Sequence, residues 1–339
     1  VTRQLPLEIV TPAEALSTAG YRTGYFGKWH LGDRNHNPDR QGYETMVVTG
    51  GRHFAPRFRT TPKVDVEDGE YLADFLTDQT VAFIEENRDE PFFVFLSHYA
   101  VHIPLEAKAQ TVAKYEDKPK PETGINNPTY AAMIEHVDES VGRIMAKLDE
   151  LDLAENTLLI FTSDNGGLRQ TYTGTGEIVT SNAPLRGEKG ELYEGGIRVP
   201  LIARWPGKIP SGTVSDHQAV HYDVLATLAE VAGAEVPAGT DGISFLPALL
   251  GQSEQQKKHE YLFWDFGGYG GQIAVRMGDW KGVKRNLRKK PDAPLELYNL
   301  ADDPREQVNR LDDPAAGPVV EFLVEQARAA AGDEGRTRN

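Results

Sequence analysis

The sequence predicts an α/β protein with a mostly parallel central sheet flanked by helices, followed by a small antiparallel sheet and a helix. Three observations lead there. Two short, wholly apolar runs, Phe92-Phe93-Val94-Phe95-Leu96 and Leu158-Leu159-Ile160-Phe161, read as buried strands. Between them Tyr130, Ile134, Val137, Val141, Ile144, Leu148 and Leu151 recur in alternating steps of four and three, one stripe of a long helix. Strand, helix, strand is a crossover unit, and crossovers join parallel strands. After residue 242 the texture changes to short strand-like runs joined by Gly and Pro turns.

The elements follow in order. Thr11-Pro12 before Ala13, Glu14, Ala15 and Leu16 is an N-cap with proline at the first helical position, and Gly20 is placed to end that helix. A strand is expected over 21–26. Residues 33–66 carry Pro, Gly, Asn and Arg without period and read as a long loop, the kind that walls a pocket. Leu72, Phe75, Leu76 and Phe83 trace a helix over 70–87, and a strand over 199–205 precedes a helix over 222–232 that stops at Gly233. The stretch 237–242 reads as a boundary, which divides the chain into 1–242 and 243–339. Strands at 260–266, 273–277, 280–284 and 295–300 and a closing helix at 315–330 complete the prediction.

Composition bounds the function. The formal charge of −15 repels phosphate backbones and anionic lipid, so nucleic-acid binding is disfavoured and any anion site must be a local cationic pocket. There is no cysteine, hence no disulfide, thiolate metal site or cysteine nucleophile. No apolar run is long enough to span a bilayer, and Val1 starts directly in polar sequence without an initiator Met or the charged and apolar regions of a signal peptide, so the chain is expected to be processed or to lack its beginning.

Four segments fall where a parallel sheet places ligands, beyond the carboxyl ends of strands. Gly27-Lys28-Trp29-His30-Leu31-Gly32 sets a cation and an imidazole two residues apart behind a glycine, an anion site in outline or else a surface lysine and a packed histidine. Ser97-His98-Tyr99-Ala100-Val101-His102-Ile103-Pro104 follows the first apolar strand; His98 reads as packed, while His102 before Ile-Pro is held extended and can act as a general acid. Thr162-Ser163-Asp164-Asn165-Gly166-Gly167 offers two hard oxygen ligands suited to calcium or magnesium, or alternatively an Asx-turn. The loop 185–200, punctuated by glycine, carries Lys189, with Arg198 and Glu194 expected to form a structural ion pair. Two lysines, imidazoles and a hard-metal pair suit displacement at a tetrahedral sulfate or phosphate ester.

These motifs resemble those of the sulfatase family of the alkaline phosphatase superfamily, over nearly the whole chain. Residues 19–32 are similar to the family's lysine-histidine signature, Asp164-Asn165-Gly166-Gly167 and 189–200 to two further motifs, and 274–281 and 297–306 to the small C-terminal subdomain. The resemblance implies that Lys28 binds the sulfate and that His30 takes a proton as the sulfated intermediate eliminates sulfate. It implies that His102 and Lys189 contact the sulfate and bridging oxygen, His102 donating to the leaving alcohol, and that Asp164 and Asn165 ligate Ca2+. It implies release of inorganic sulfate from a sulfated carbohydrate or aryl sulfate, the arylsulfatase A and N-acetylgalactosamine-6-sulfatase types being the nearest in character, and an exported, periplasmic or extracellular parent.

The departure from the pattern lies upstream. The paired Asp segment and the Cys/Ser-x-Pro-Ser-Arg signature, whose Cys or Ser a formylglycine-generating enzyme oxidises to formylglycine, do not occur. Calcium takes about six to eight oxygens, more than Asp164 and Asn165 supply. The reading is therefore an N-terminally truncated sulfatase, inactive as this polypeptide alone. The alternatives are a superfamily phosphoesterase, which would call for two transition metals, and a noncatalytic sulfated-glycan binder. The run 263–271, rich in aromatics and glycine, is a candidate sugar-stacking rim, with Trp264 instead in the core of the small sheet.

Overall fold

In the computed structural model, which describes residues 4–122, 125–170, 176–322 and 325, the chain forms two compact units. One comprises 1–160 with 203–258, the other 161–202 with 259–339. The units are thus discontinuous, and 161–202 groups with the C-terminal residues rather than with the rest of 1–242.

In the first unit, helix α1 (Pro12–Ser17) starts as the sequence dictates: the Thr11 hydroxyl accepts from the Glu14 N–H at 3.2 Å and the Glu14 carboxylate accepts from the Thr11 N–H at 2.8 Å. Strands β1 (Arg22–Gly27), β2 (Thr45–Gly50), β3 (Arg59–Thr61) and β4 (Phe92–Ser97), with helix α2 (Leu72–Glu86) between the last two, form a sheet of order β3-β2-β1-β4. β1 runs parallel to both β2 and β4, and β3 is antiparallel to β2. One face buries Phe26 and Val47 against Leu72, Phe75, Leu76 and Phe83 of α2. The other buries Ala13, Tyr25, Trp29 and Tyr43, with Tyr25 stacked on Phe95 at 5.5 Å.

Three expectations are corrected here. The segment 33–66 is not one long loop but contains β2 and β3. β2 is as long as β1 and β4, but its run Thr45-Met46-Val47-Val48-Thr49-Gly50 is neither continuously apolar nor cleanly alternating, so it carries no strand pattern of its own. β4 is only half-buried, because it is the last strand of its sheet among the described residues, and Phe95 is 44% exposed. Strand β5 (Leu159–Thr162) pairs with β6 (Leu201–Arg204) in a separate two-stranded sheet rather than with β4.

Helices α3 (Ala109–Glu116) and α4 (Pro128–Glu150) pack together, and α4 also packs on α2. The face that α4 buries holds Ala132, Met133, His136, Ser140 and Leu148, whereas Ile134 of the apolar stripe is 50% exposed. Small and polar residues win that face because they carry hydrogen bonds: Thr77 Oγ1 and Ser140 Oγ lie 2.6 Å apart, and His98 Nε2 is 2.9 Å from Ser140 Oγ. After β6, helix α6 (Asp223–Ala232) ends at Gly233 in the left-handed conformation, φ +66°. No helix of the described residues is long and apolar enough to cross a membrane.

The second unit carries the short helix α5 (Glu194–Ile197) and an antiparallel sheet of β7 (Leu262–Phe266), β8 (Gln272–Met277), β9 (Trp280–Arg285) and β10 (Glu296–Asn299), ordered β10-β9-β8-β7. Its two faces follow the two-residue period. Ile273, Val275 and Leu297 bury against Ala316 and Val319, while Ala274, Val283 and Tyr298 bury against Leu192 and Tyr193, with Trp264 packed beside them. The closing helix is present over residues 317–322; most of the rest of 315–330 lies outside the described residues.

His98 is packed, as its position suggested. Burial pushes its pKa down to about 4, and its Nδ1 has no hydrogen-bond partner that could accept a second proton. The unfolded chain protonates this imidazole near pH 6.5 and the folded protein does not, so stability is complete above that pH and falls as pH drops toward 4. The loss is on the order of 3 kcal/mol. Urea midpoints measured between pH 7 and 4 are expected to fall less steeply for His98→Gln than for the natural sequence.

Candidate functional site

Because β1, β2 and β4 are mutually parallel, their carboxyl ends deliver three loops to one edge of the first unit: 28–32, 51–58 and 98–106. Lys28 is fixed by its backbone. Its N–H donates to the Ser97 carbonyl at 3.0 Å, and its own carbonyl accepts from Ser97 Oγ at 2.9 Å and the Tyr25 hydroxyl at 2.5 Å. Residue 27 must be glycine for that approach: φ is +127°, and a Cβ would stand 1.8 Å from the Ser97 carbonyl oxygen.

The Lys28 ammonium lies 5.4 Å from the centre of the Tyr99 ring, and Tyr99 lies 5.1 Å from the His102 ring. Lys28 and His102 are thus brought together through Tyr99. His102 Nδ1 is 2.7 Å from the Ile103 carbonyl oxygen, which can only accept, so Nδ1 carries a proton. His30, two residues on, is exposed with φ +61° and lines a shallow depression of about 470 Å³ with Gln4, Gly32 and Asp33.

Sequence reasoning missed the residues that support His102. His53 is 1% exposed, its Nε2–H donates to the His102 carbonyl at 2.9 Å, and its ring lies 4.8 Å from Tyr99. Burial lowers its pKa, which keeps it neutral. Glu106 holds the same loop: Oε2 accepts from the His53 N–H at 3.2 Å, and Oε1 accepts from Arg52 at 3.0 Å and Arg57 at 2.9 Å. Burial acts to raise the Glu106 pKa, but the His53 N–H and the two guanidiniums outweigh it and hold it below the usual carboxylate range. The only signal in the sequence was that 33–66 should wall a pocket.

In the second unit, β5 leads into Asp164, which is exposed, and Asn165, which is half-buried. Gly166 N–H donates to the Gly196 carbonyl at 3.0 Å, and Lys189 N–H to the Gly167 carbonyl at 3.4 Å. Asn182, also unforeseen, ties the two segments. Its Oδ1 accepts from Gly167 N–H at 2.9 Å, and its Nδ2 donates to the carbonyls of Gly167 at 2.8 Å and Gly187 at 3.1 Å. Asp164 and Asn165 are chemically suited to calcium, but among the described residues no group of three or more His, Asp or Glu side chains could hold a metal. The pair fits as part of a coordination shell, not as a whole one.

The loop carrying Lys189 is clamped to the small sheet. Lys281, fully buried, lies 2.8 Å from Glu194 and 2.9 Å from Glu306, and Glu306 also accepts from the Glu194 N–H at 2.7 Å. Arg186 donates to the Tyr298 hydroxyl and the Glu306 carbonyl, both at 2.8 Å. The expected Glu194–Arg198 ion pair is corrected: the Glu194 side chain turns inward to Lys281 and Arg276, and Arg198 meets Glu194 only through its backbone N–H. The alternation along β9 puts Lys281 on the face that this loop covers, and that places the partner. Tyr269, 58% exposed, packs against Gly190, where an added Cβ would stand 2.4 Å from its ring.

The family model described as Sulfatase matches residues 3–234. The chain belongs to the sulfatase family. A second family model, the C-terminal region of N-sulphoglucosamine sulphohydrolase, matches 188–331. Among curated relatives of this sulfatase-family chain, a sulfatase of Formosa agariphila is 32% identical, the match covering 90% of this chain and 66% of the relative. Arylsulfatase A of Homo sapiens is 30% identical over 94% of this chain and 70% of its own length. N-acetylgalactosamine-6-sulfatase of Canis lupus familiaris is 32% identical over 70% and 48%. The chain therefore spans just under two thirds of the first of these relatives and about half of the last. The solved structure of Ps i-CgsB superimposes with a TM-score of 0.81 at 27% identity, covering 96% of this chain and 76% of that one. These neighbours fix the fold class as alkaline phosphatase-like, a sheet with parallel strands flanked by helices plus a separate antiparallel sheet.

Asn182→Ala removes three hydrogen bonds and is expected to weaken local protection by about 2–3 kcal/mol. Faster amide exchange at Gly167 and Lys189, with Lys28 unaffected, checks it. Lys281→Met leaves two carboxylates buried without their cation and is expected to cost about 3–5 kcal/mol, read as a lower denaturant midpoint of the small sheet.

Proposed function

We propose that this chain carries most of the catalytic machinery of a sulfuric ester hydrolase that releases inorganic sulfate from a sulfated carbohydrate. The observation that carries the reading is the grouping of Lys28, Tyr99 and His102 at one strand-end edge, in a chain whose sulfatase-family motifs occur in order. Lys28 and Lys189 would bind the sulfuryl oxygens, and His102, with Nδ1 already committed to a carbonyl, would hold at Nε2 the proton given to the leaving alcohol. His30 would accept a proton in the second half of the reaction. Asp164 and Asn165 would be part of a Ca2+ shell; the ion, when bound, would stabilise negative charge on the ester oxygens.

The nucleophile and the remaining metal ligands would lie on polypeptide outside these 339 residues, since the sequence has no cysteine and no Cys/Ser-x-Pro-Ser-Arg segment. That polypeptide would bear the formylglycine made by its generating enzyme, and the parent would be exported. A continuing sheet also agrees with β4, whose outer edge is unpaired among the described residues and whose Phe95 is 44% exposed. A sugar as substrate is favoured over a bare aryl sulfate by Tyr269, an exposed aromatic face beside Gly190 and so next to Lys189.

The test compares the 339-residue chain with the product of its complete coding sequence, assayed with sulfated monosaccharides, an aryl sulfate and a phosphate monoester. The longer protein is expected to release sulfate and the chain alone none. In the longer protein Lys28→Ala, His102→Ala and Lys189→Ala are each expected to lower kcat roughly 10²-fold or more. Turnover by the chain alone, unaffected variants, or faster phosphate than sulfate release would overturn the reading.

A further inference from the structure

We propose that Arg52 and Arg57, presented by Glu106, form a second anion subsite beside His102, one that takes an additional sulfate on the sugar bearing the scissile group or a carboxylate on the sugar linked to it. The inference rests on the sulfate-ester reading above and extends it to the substrate's second charge.

The charge count is the first ground. Both guanidiniums converge on a single oxygen, Glu106 Oε1, at 3.0 and 2.9 Å, so one carboxylate faces two cations and a net positive charge remains in a protein whose formal charge is −15. The Glu106 side chain is only 14% exposed, whereas those of Arg52 and Arg57 are 50% and 51% exposed. Each arginine spends one nitrogen on Glu106 and offers the rest of its fork outward, a geometry that matches the two oxygens of a carboxylate or sulfate.

Position is the second ground. The pair sits in the loop that leaves the carboxyl end of β2, at the same edge as Lys28 and His102. Between the two arginines in the chain, His53 donates to the His102 carbonyl at 2.9 Å and its ring lies 4.8 Å from that of Tyr99. Glu106 fixes the loop from the other side through the His53 N–H at 3.2 Å. An ion pair serving stability alone needs neither a second arginine nor a backbone link to His102.

The test is isothermal titration calorimetry of the 339-residue chain, in calcium-containing buffer, with galactose 6-sulfate, D-glucosamine 2-N,6-O-disulfate and the chondroitin 6-sulfate disaccharide. The first carries one anionic group, the second an extra sulfate and the third an extra carboxylate. At least one doubly charged ligand is expected to bind about 5- to 10-fold more tightly than galactose 6-sulfate at low salt, the advantage shrinking as salt rises. R52Q/R57Q is expected to abolish that advantage while changing galactose 6-sulfate affinity by less than about 2-fold, and R52K/R57K, which keeps both charges on Glu106, to restore part of it. Lys28→Ala should weaken all three ligands. An advantage that survives in R52Q/R57Q, or equal loss for singly and doubly charged ligands, overturns the subsite. If Lys28→Ala has no effect while R52Q/R57Q removes the advantage, the subsite stands and the sulfate-ester reading fails. Absence of binding of all three sugars, by this chain and by the product of its complete coding sequence alike, overturns both.

Discussion

Parallel pairing of β1 with β2 and β4 is the constraint from which the rest of the first unit follows. It aligns three carboxyl ends, and with them Lys28, the His53 loop and His102, at one edge of the sheet. The pairing is tight where it matters. Gly27 and Ser97 are in register, and the absence of a Cβ at Gly27 lets the Ser97 carbonyl close on the Lys28 N–H. A side chain there would push the lysine away from Tyr99 and loosen the link to His102.

The second unit meets a similar positioning demand by different means. Its glycine-rich loop has little regular structure of its own beyond the four-residue helix α5, so it is held by charge and hydrogen bonds. Lys281, Glu194 and Glu306 are buried together, and Asn182 spans the gap between the Asp164 segment and the Lys189 segment. Buried ions are weak contributors to net stability but strong penalties when a partner is missing, so the triad fixes one arrangement of the loop rather than merely strengthening it. The small antiparallel sheet therefore acts as the support for Lys189.

Electrostatics ties the fold to its chemistry. An acidic protein can bind an anion only where cations are locally held, and both candidate lysines are anchored: Lys28 over an aromatic face, Lys189 on a backbone clamped by Asn182. Neutral histidines complete the arrangement. His98 and His53 are kept uncharged by burial and serve as hydrogen-bonding spacers beside His102, while His30 stands exposed at the same edge.

What the sequence by itself determined was much of the element list, namely the α1 cap, α2, β4, α4 and the four strands of the small sheet, and it offered the motifs around Lys28, His102, Asp164 and Lys189 as candidates. Those are written in local periodicity, capping and residue type, which a single stretch of chain displays. Tertiary structure alone decided that β2 lies inside 33–66, that α4 buries Ser140 and His136 rather than Ile134, and that β5 pairs with β6. It alone supplied His53, Glu106, Asn182 and Lys281, and turned Glu194 away from Arg198. These are long-range pairings in which a polar side chain is placed by partners many residues distant, and no local pattern encodes the identity of such a partner.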